Sequence, residues 1–207
     1  DLHSFPTRRS SDLPGWSILL FETVRVLQFE PENLDFHIRR ANASTTNGLR
    51  FDMASVVSVP GEGLYRVKVI YDEQGNLVER QCFEYKKREI KSIRLLSSDI
   101  SYDRKYLNRS AIDSLFARRG DCDEVLVMKN GLVTDTSIAN IAIRSKGIWL
   151  TPRIPLLKGT ARQRMIERHG LQEKDIGISE LLKAERIALM NAMTGFYELE
   201  NLRIETE

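Results

Sequence analysis

Residues 124–143 read EVLVMKNGLVTDTSIANIAI. Two β-rich runs flank Asn130-Gly131, a pair that accepts the positive φ angles of a tight two-residue turn. The stretch therefore predicts a hairpin, residues 124–129 returning over 132–134, with a further strand over 138–143. Toward the C-terminus, residues 148–150 give another strand after Lys146-Gly147, and Pro152 and Pro155 mark a loop. Gly159 opens a helix from about 160 to 168, which Gly170 closes. Ser179 is expected to cap a short helix, and residues 186–191 read as the last core strand.

Toward the N-terminus, Ile112, Leu115 and Phe116 mark a helix over 107–119 that stops at Gly120. A short strand spans 93–96. The basic run KKREIK (86–91) reads as a solvated connection. Residues 63–71 alternate, with Tyr65, Val67, Val69 and Tyr71 on one face, and Gly75-Asn76 turns the chain into a second strand over 77–85. Asn33 is placed to cap a helix over 34–41, and residues 18–26 form a strand. The chain shows no repeats and no low-complexity segments.

The chain has 207 residues, enough for one large domain or two small ones with their own cores; with a boundary expected between about 97 and 102, the domains are placed at 14–100 and 101–207. Residues 1–13, DLHSFPTRRSSDL, resemble the translation of a sequencing adapter and are expected to be non-native. With 31 basic and 29 acidic residues the net charge is +2, which gives no reason to expect nucleic acid as a partner. No apolar run approaches the roughly 20 residues that span a bilayer, and no secretory signal is visible, so neither membrane nor export is expected. Cys82 and Cys122 lie far apart without metal-ligand spacing; free thiols in a reducing cytoplasm and no metal are the expectation.

Three features carry chemistry. Lys105, flanked by Tyr102 and Tyr106, lies between a strand and a helix, where a desolvated amine serves as nucleophile and base. Asp135 ends a hairpin strand among β-branched residues and could pair with a buried cation. Residues 156–162, LLKGTAR, put a glycine and a hydroxyl at a helix start, where unpaired N–H groups attract anions. Taken singly, these also fit a surface lysine, a turn aspartate and an ordinary helix start.

Their order is more specific. Lys105-Tyr106-Leu107-Asn108-Arg109 resembles the K-x-L-N-R stretch of bacterial aminodeoxychorismate lyases. Val133-Thr134-Asp135 with Ala139-Asn140-Ile141 is similar to V-T-E…N-[LI]-F. Thr151-Pro152 and Leu157-Lys158-Gly159-Thr160-Ala161-Arg162 are similar to T-P…L-x-G-[IV]-[TM]-R. Phe21-Glu22-Thr23-Val24-Arg25-Val26 resembles an F-E-T-[IV]-R-V strand, and His37-Ile38-Arg39-Arg40 an H-x-x-R motif. Together, over about residues 20–197, they resemble the class IV aminotransferase family of fold-type-IV pyridoxal phosphate enzymes.

That resemblance implies an α+β, two-domain fold like that of D-amino acid aminotransferase, with pyridoxal 5′-phosphate in the interdomain cleft of a homodimer. It implies that Lys105 carries the cofactor and that Asp135 keeps its ring nitrogen protonated. Arg40, Gly159, the backbone N–H groups of Thr160 and Ala161, and the Met193-Thr194 turn would hold the phosphate. Arg66, Lys68 and Arg109 are candidates for a carboxylate on a small amino acid-type substrate. Asn140 is expected to be a structural hydrogen-bonder. The sequence departs from the family at Asp135, usually glutamate, at Ala161, which lacks a hydroxyl, and in having no D-R-G-x-x-x-G-D-G segment before the first strand. The K-Y-L-N-R stretch favours a lyase that makes 4-aminobenzoate and pyruvate for folate synthesis. The alternatives are an aminotransferase of branched-chain or D-amino acids and a catalytically idle binding subunit.

Overall fold

The computed structural model describes residues 17–206. The adapter-like segment lies outside the described residues. In chain order the elements are β1 (Leu19–Leu27), β2 (Glu30–Pro31), α1 (Leu34–Ser44), α2 (Met53–Val56), β3 (Leu64–Asp72), β4 (Leu77–Glu84), β5 (Ser92–Ser97), α3 (Ser110–Ala117), β6 (Glu124–Lys129), β7 (Leu132–Thr136), β8 (Asn140–Ser145), β9 (Ile148–Pro152), α4 (Thr160–His169), β10 (Gln172–Lys174), α5 (Ile178–Leu182), β11 (Arg186–Asn191), β12 (Gly195–Leu199) and β13 (Arg203–Glu205). The architecture is α+β, as the resemblance implies. Among the described residues no helix is long and apolar enough to cross a membrane.

The chain divides into two compact units. The first runs through Tyr85 and includes Lys105–Asn108; the second comprises Lys86–Arg104 and everything from Arg109 onward. Residues 86–100 thus belong with the second unit, whereas the sequence reading ended the first domain near 100. The reason is β5, which pairs in parallel with β6 and β13.

The first unit is a four-stranded sheet in the order β2-β1-β3-β4. β1 and β3 pair antiparallel over nine residues, Leu19 opposite Asp72 to Leu27 opposite Leu64. Because side chains alternate, Leu20, Glu22, Val24 and Val26 share one face and Phe21, Thr23 and Arg25 the other. The first face builds the core: Leu20, Val24, Val26, Val67, Val69 and Tyr71 pack with Ala41 of α1 and with Met53, Val56 and Val57. α2 was not foreseen; Asp52 caps it by accepting from the N–H groups of Ala54 and Ser55. Asn33 precedes α1 as expected but in the left-handed region, with no side-chain cap bond.

Lys105–Leu107 lie along the free end of the β1 edge. Phe21 N–H donates to Lys105 O at 3.0 Å and Leu107 N–H to Leu19 O at 2.8 Å, with Tyr106 opposite Leu20. This pairing shortens the helix expected over 107–119. Leu107 is spent on the sheet, and α3 starts only at Ser110.

The second unit is a larger sheet in the order β10-β9-β8-β7-β6-β5-β13, with β11 joining β8 and β12. At the β6–β7 turn Asn130 and Gly131 have φ of 51° and 77°, the conformation that Asn-Gly favours. Ile93, Leu95, Leu126, Val133, Ile141, Ile143 and Leu189 form one core. α4 covers a second, where Ala142, Ala161, Leu171, Ala188 and Met190 meet and Trp149 stands edge-on to Phe196 at 4.9 Å. Three readings change. Residues 138–139 form the turn before β8 rather than its start, β12 and β13 follow the strand expected to be last, and α5 begins after Gly177, so Ser179 lies within the helix instead of capping it.

Candidate active site

In the first unit the potential chemistry gathers at β1. Phe21 is buried, and its ring lies 4.5 Å from Lys105 Nζ and 4.9 Å from Lys68 Nζ, measured to the ring centroid. Backbone pairing with β1 fixes the register of Lys105, and alternation sends Tyr106 into the core and Lys105 to the Phe21 face. Of the three substrate candidates, Lys68 shares an aromatic ring with Lys105. Arg66, two residues earlier on the same face, is exposed and lies 5.0 Å from the Phe83 ring.

On the other face of β1, Glu22 is fully buried among apolar neighbours. It accepts from Arg40 Nε at 2.9 Å, Arg40 Nη2 at 2.5 Å and His37 Nδ1 at 2.6 Å. His37 and Arg40, three residues apart on α1, reach the same carboxylate from one helix face. Burial alone would raise the Glu22 pKa, but the Arg40 charge and the His37 bond hold it near 2. Burial pushes His37 down, and the charges of Arg40 and Lys105 add to that, against the pull of Glu22. A neutral His37 with its proton on Nδ1 satisfies this geometry. The sequence reading gave Glu22 no role. The available signal was an acid on the same strand face as Leu20, Val24 and Val26, where a buried charge requires a partner.

In the second unit the central residue is Asp135. Opposite β7, Leu126 pairs with Thr136 and Met128 with Val133, so β7 has one residue more than β6 between these points. Such a bulge redirects side chains, and here Thr134, Asp135 and Thr136 are all buried. Thr134 Oγ1 donates to Val127 O at 2.7 Å, closing the bulge. β7 then meets β8 through the single pair Asp135–Asn140.

The Asp135 carboxylate accepts from Asn140 Nδ2 at 2.7 Å and from Leu157 N–H at 2.9 Å. Asn140 Nδ2 also donates to Leu157 O at 2.8 Å, so it is structural, as expected. Burial pushes the Asp135 pKa up to about 7, although Leu157, Asn140 and the charge of Arg162 pull it down. Arg162 is itself buried and donates to Pro152 O at 2.9 Å and Glu173 Oε1 at 2.5 Å, tying α4 to β9 and β10.

Gly159 precedes α4 in extended backbone, and a Cβ there would lie 2.0 Å from Asn140 Oδ1. Only glycine lets the helix start come this close to the amide that holds Asp135. Thr160 and Ala161, the first residues of α4, are buried, and no side chain caps this helix start. At 191–194, Asn191 Oδ1 accepts from the N–H groups of Met193 and Thr194 and from Thr194 Oγ1, at 2.9–3.0 Å. Both donors of Thr194 are thus directed inward to Asn191. Arg109 Nη2 donates to Ser137 O at 2.8 Å, bracing α3 against the turn after Asp135.

The chain is similar to several known proteins. Residues 101–201 match the family Amino-transferase class IV. An uncharacterized protein of Haemophilus influenzae is 33% identical over 186 residues, covering 85% of this chain and 98% of its own length. A crystal structure from Haemophilus somnus, described as a putative 4-amino-4-deoxychorismate lyase, is 31% identical, covers 88% of this chain and all of its own, and superimposes with a TM-score of 0.78. A hypothetical aminotransferase from Mycobacterium tuberculosis, in its PLP-bound form, is 17% identical with a TM-score of 0.69, covering 97% of this chain and 87% of its own; at that identity the likeness is one of fold.

Proposed function

The chain belongs to the amino-transferase class IV family, and from that premise we propose that it is a pyridoxal-phosphate-dependent lyase. Its net reaction converts 4-amino-4-deoxychorismate to 4-aminobenzoate and pyruvate. The observation that carries the cofactor reading is Asp135, a buried carboxylate with its hydrogen bonds supplied by neutral amides. A protonated ring nitrogen is the cationic partner such an acid suits. The α4 start, buried and without a side-chain cap, has the donor set a phosphate takes. These residues fit the cofactor. Support for the lyase comes from the Haemophilus somnus relative and from the Lys105–Arg109 stretch.

When bound, pyridoxal phosphate supplies an electron sink for charge developing on the substrate. In the proposed reading Lys105 would carry it, and the neutral Lys105 amine would take the proton from the carbon bearing the substrate amine. The Phe21 ring, 4.5 Å from Lys105 Nζ, forms an apolar wall beside that amine. Asp135 holds a proton at the ring nitrogen. Arg40, Gly159 and the N–H groups of Thr160 and Ala161 would bind the phosphate; the 193–194 turn would join them only by turning outward the Met193 and Thr194 N–H groups and the Thr194 hydroxyl, all of which donate to Asn191. Lys68 receives a substrate carboxylate; Arg66 and Arg109 are more remote candidates, Arg109 already donating to Ser137 O. The reading includes a cytoplasmic homodimer.

The decisive experiment combines spectrum and products. The purified protein should carry a yellow chromophore that borohydride bleaches, and Lys105→Ala should abolish it; a chromophore unchanged in that variant excludes Lys105 as the carrier. Supplied with 4-amino-4-deoxychorismate, the enzyme should release 4-aminobenzoate and pyruvate in equal amounts. Formation of glutamate from an amino acid and 2-oxoglutarate, with no 4-aminobenzoate, would instead establish a transaminase.

A further inference from the structure

Arg40 and Glu22 form an asymmetric pair. The carboxylate is fully buried, whereas the guanidinium side chain keeps 14% of its surface exposed. Glu22 takes the Nε–Nη2 edge through two separate oxygens. A guanidinium is a rigid planar fork, so fixing one edge fixes the plane and the direction of the other. The His37 bond to Oε2 in turn fixes the carboxylate. β1 supplies the acid and one turn of α1 both donors, so the clamp is anchored on regular elements rather than a loop.

For stability alone, a buried ion pair is a poor way to fill a core, since apolar residues of similar volume do as well or better. Resting on the reading that Arg40 binds the cofactor phosphate, we infer that Glu22 is a positioning residue: by clamping Arg40 it fixes an anion receptor of one direction and sets the preference for a phosphorylated over an unphosphorylated cofactor. Two effects oppose each other. The Glu22 charge weakens the attraction of Arg40 for any anion, while the clamp removes rotamer freedom that Arg40 would otherwise lose on binding. Glu22 also offsets the cost of keeping a largely buried guanidinium charged and correctly placed, and paired hydrogen bonds to a phosphate are strongly directional. Direction therefore outweighs charge.

The test titrates cofactor-free protein with pyridoxal phosphate and separately with pyridoxal, following absorbance, and takes the ratio of the two affinities. Glu22→Gln should lower pyridoxal phosphate affinity about tenfold, the loss of one well-directed charge-assisted bond, with pyridoxal moving less than about twofold. Glu22→Asp, which keeps the charge one methylene further back, should fall between; it carries the test where urea melts show Glu22→Gln to be unfolded. Equal weakening of both ligands would make Glu22 merely structural and overturn the inference, as would tighter pyridoxal phosphate binding by Glu22→Gln. Arg40→Ala is the separate control: an unchanged ratio there removes the phosphate role of Arg40 itself, whereas a lowered ratio there with none in the Glu22 variants defeats only the positioning role.

Discussion

Glu22 in the first unit and Asp135 in the second are both buried acids on strands, yet their pKa values move in opposite directions. Burial raises both. For Glu22, a guanidinium at hydrogen-bond distance and the His37 bond more than reverse it, to about 2. For Asp135 the donors are amides and the cation Arg162 is committed to Pro152 and Glu173, so the carboxyl remains near 7. Depth of burial does not decide the state of an acid; the charge of its immediate partner does. The first acid is a finished ion pair, and the second is poised to respond to an incoming cation.

This contrast can be broken most directly by removing each carboxylate from the cofactor-free protein. Glu22→Gln leaves Arg40 without its counter-charge and should cost about 3 kcal/mol in urea unfolding. Asp135→Asn should stay within about 1 kcal/mol of wild type at pH 8, because it removes a charge that burial penalises. Equal losses would mean that both acids are ordinary ion-pair partners.

The next largest effect is in pH. The folded pKa of Asp135 lies above its unfolded value near 4, so its contribution is full below about pH 4 and is lost as the pH rises through about 7. Unfolding free energy of the cofactor-free protein should fall by about 2 kcal/mol between pH 5 and 7 from this group, and Asp135→Asn should flatten that slope. Glu22 has the reverse sign: its contribution is present above about pH 4.5 and is lost as the pH falls through about 2.

Gly159→Ala sharpens the comparison from the side of the amide. Its Cβ would displace Asn140, cost about 1–2 kcal/mol in urea unfolding, and raise the Asp135 pKa further, moving the pH slope upward. The smallest effect is expected at Asn191→Ala, which removes one acceptor serving three donors and should cost about 1 kcal/mol in the same assay.

The hairpin at Asn130-Gly131 and the paired strands around Gly75-Asn76 were legible because the turn chemistry is local. Lys105 and Asp135 stood out through their order along the chain. The bulge that turns Asp135 inward was not legible, since it depends on one extra residue in β7 opposite β6, and the local sequence has no alternation to interrupt. Nor was the Glu22 cluster, whose members lie 15 and 18 residues apart. The start of α3 was misread because helical spacing in 107–119 is real, but a backbone bond from Leu107 to Leu19 takes precedence at its first turn.

The return of Lys105–Asn108 to the first unit makes that unit discontinuous along the chain. A gene fragment ending at Tyr85 would lack the segment that pairs with the Leu19–Phe21 edge and the Tyr106 ring that packs on its core. Such a fragment exposes an unpaired apolar strand edge, the usual seed of intermolecular sheet growth. Splitting the protein at its apparent boundary should therefore yield aggregates, while a circular permutant that keeps residues 105–108 attached to the first unit should remain dispersed.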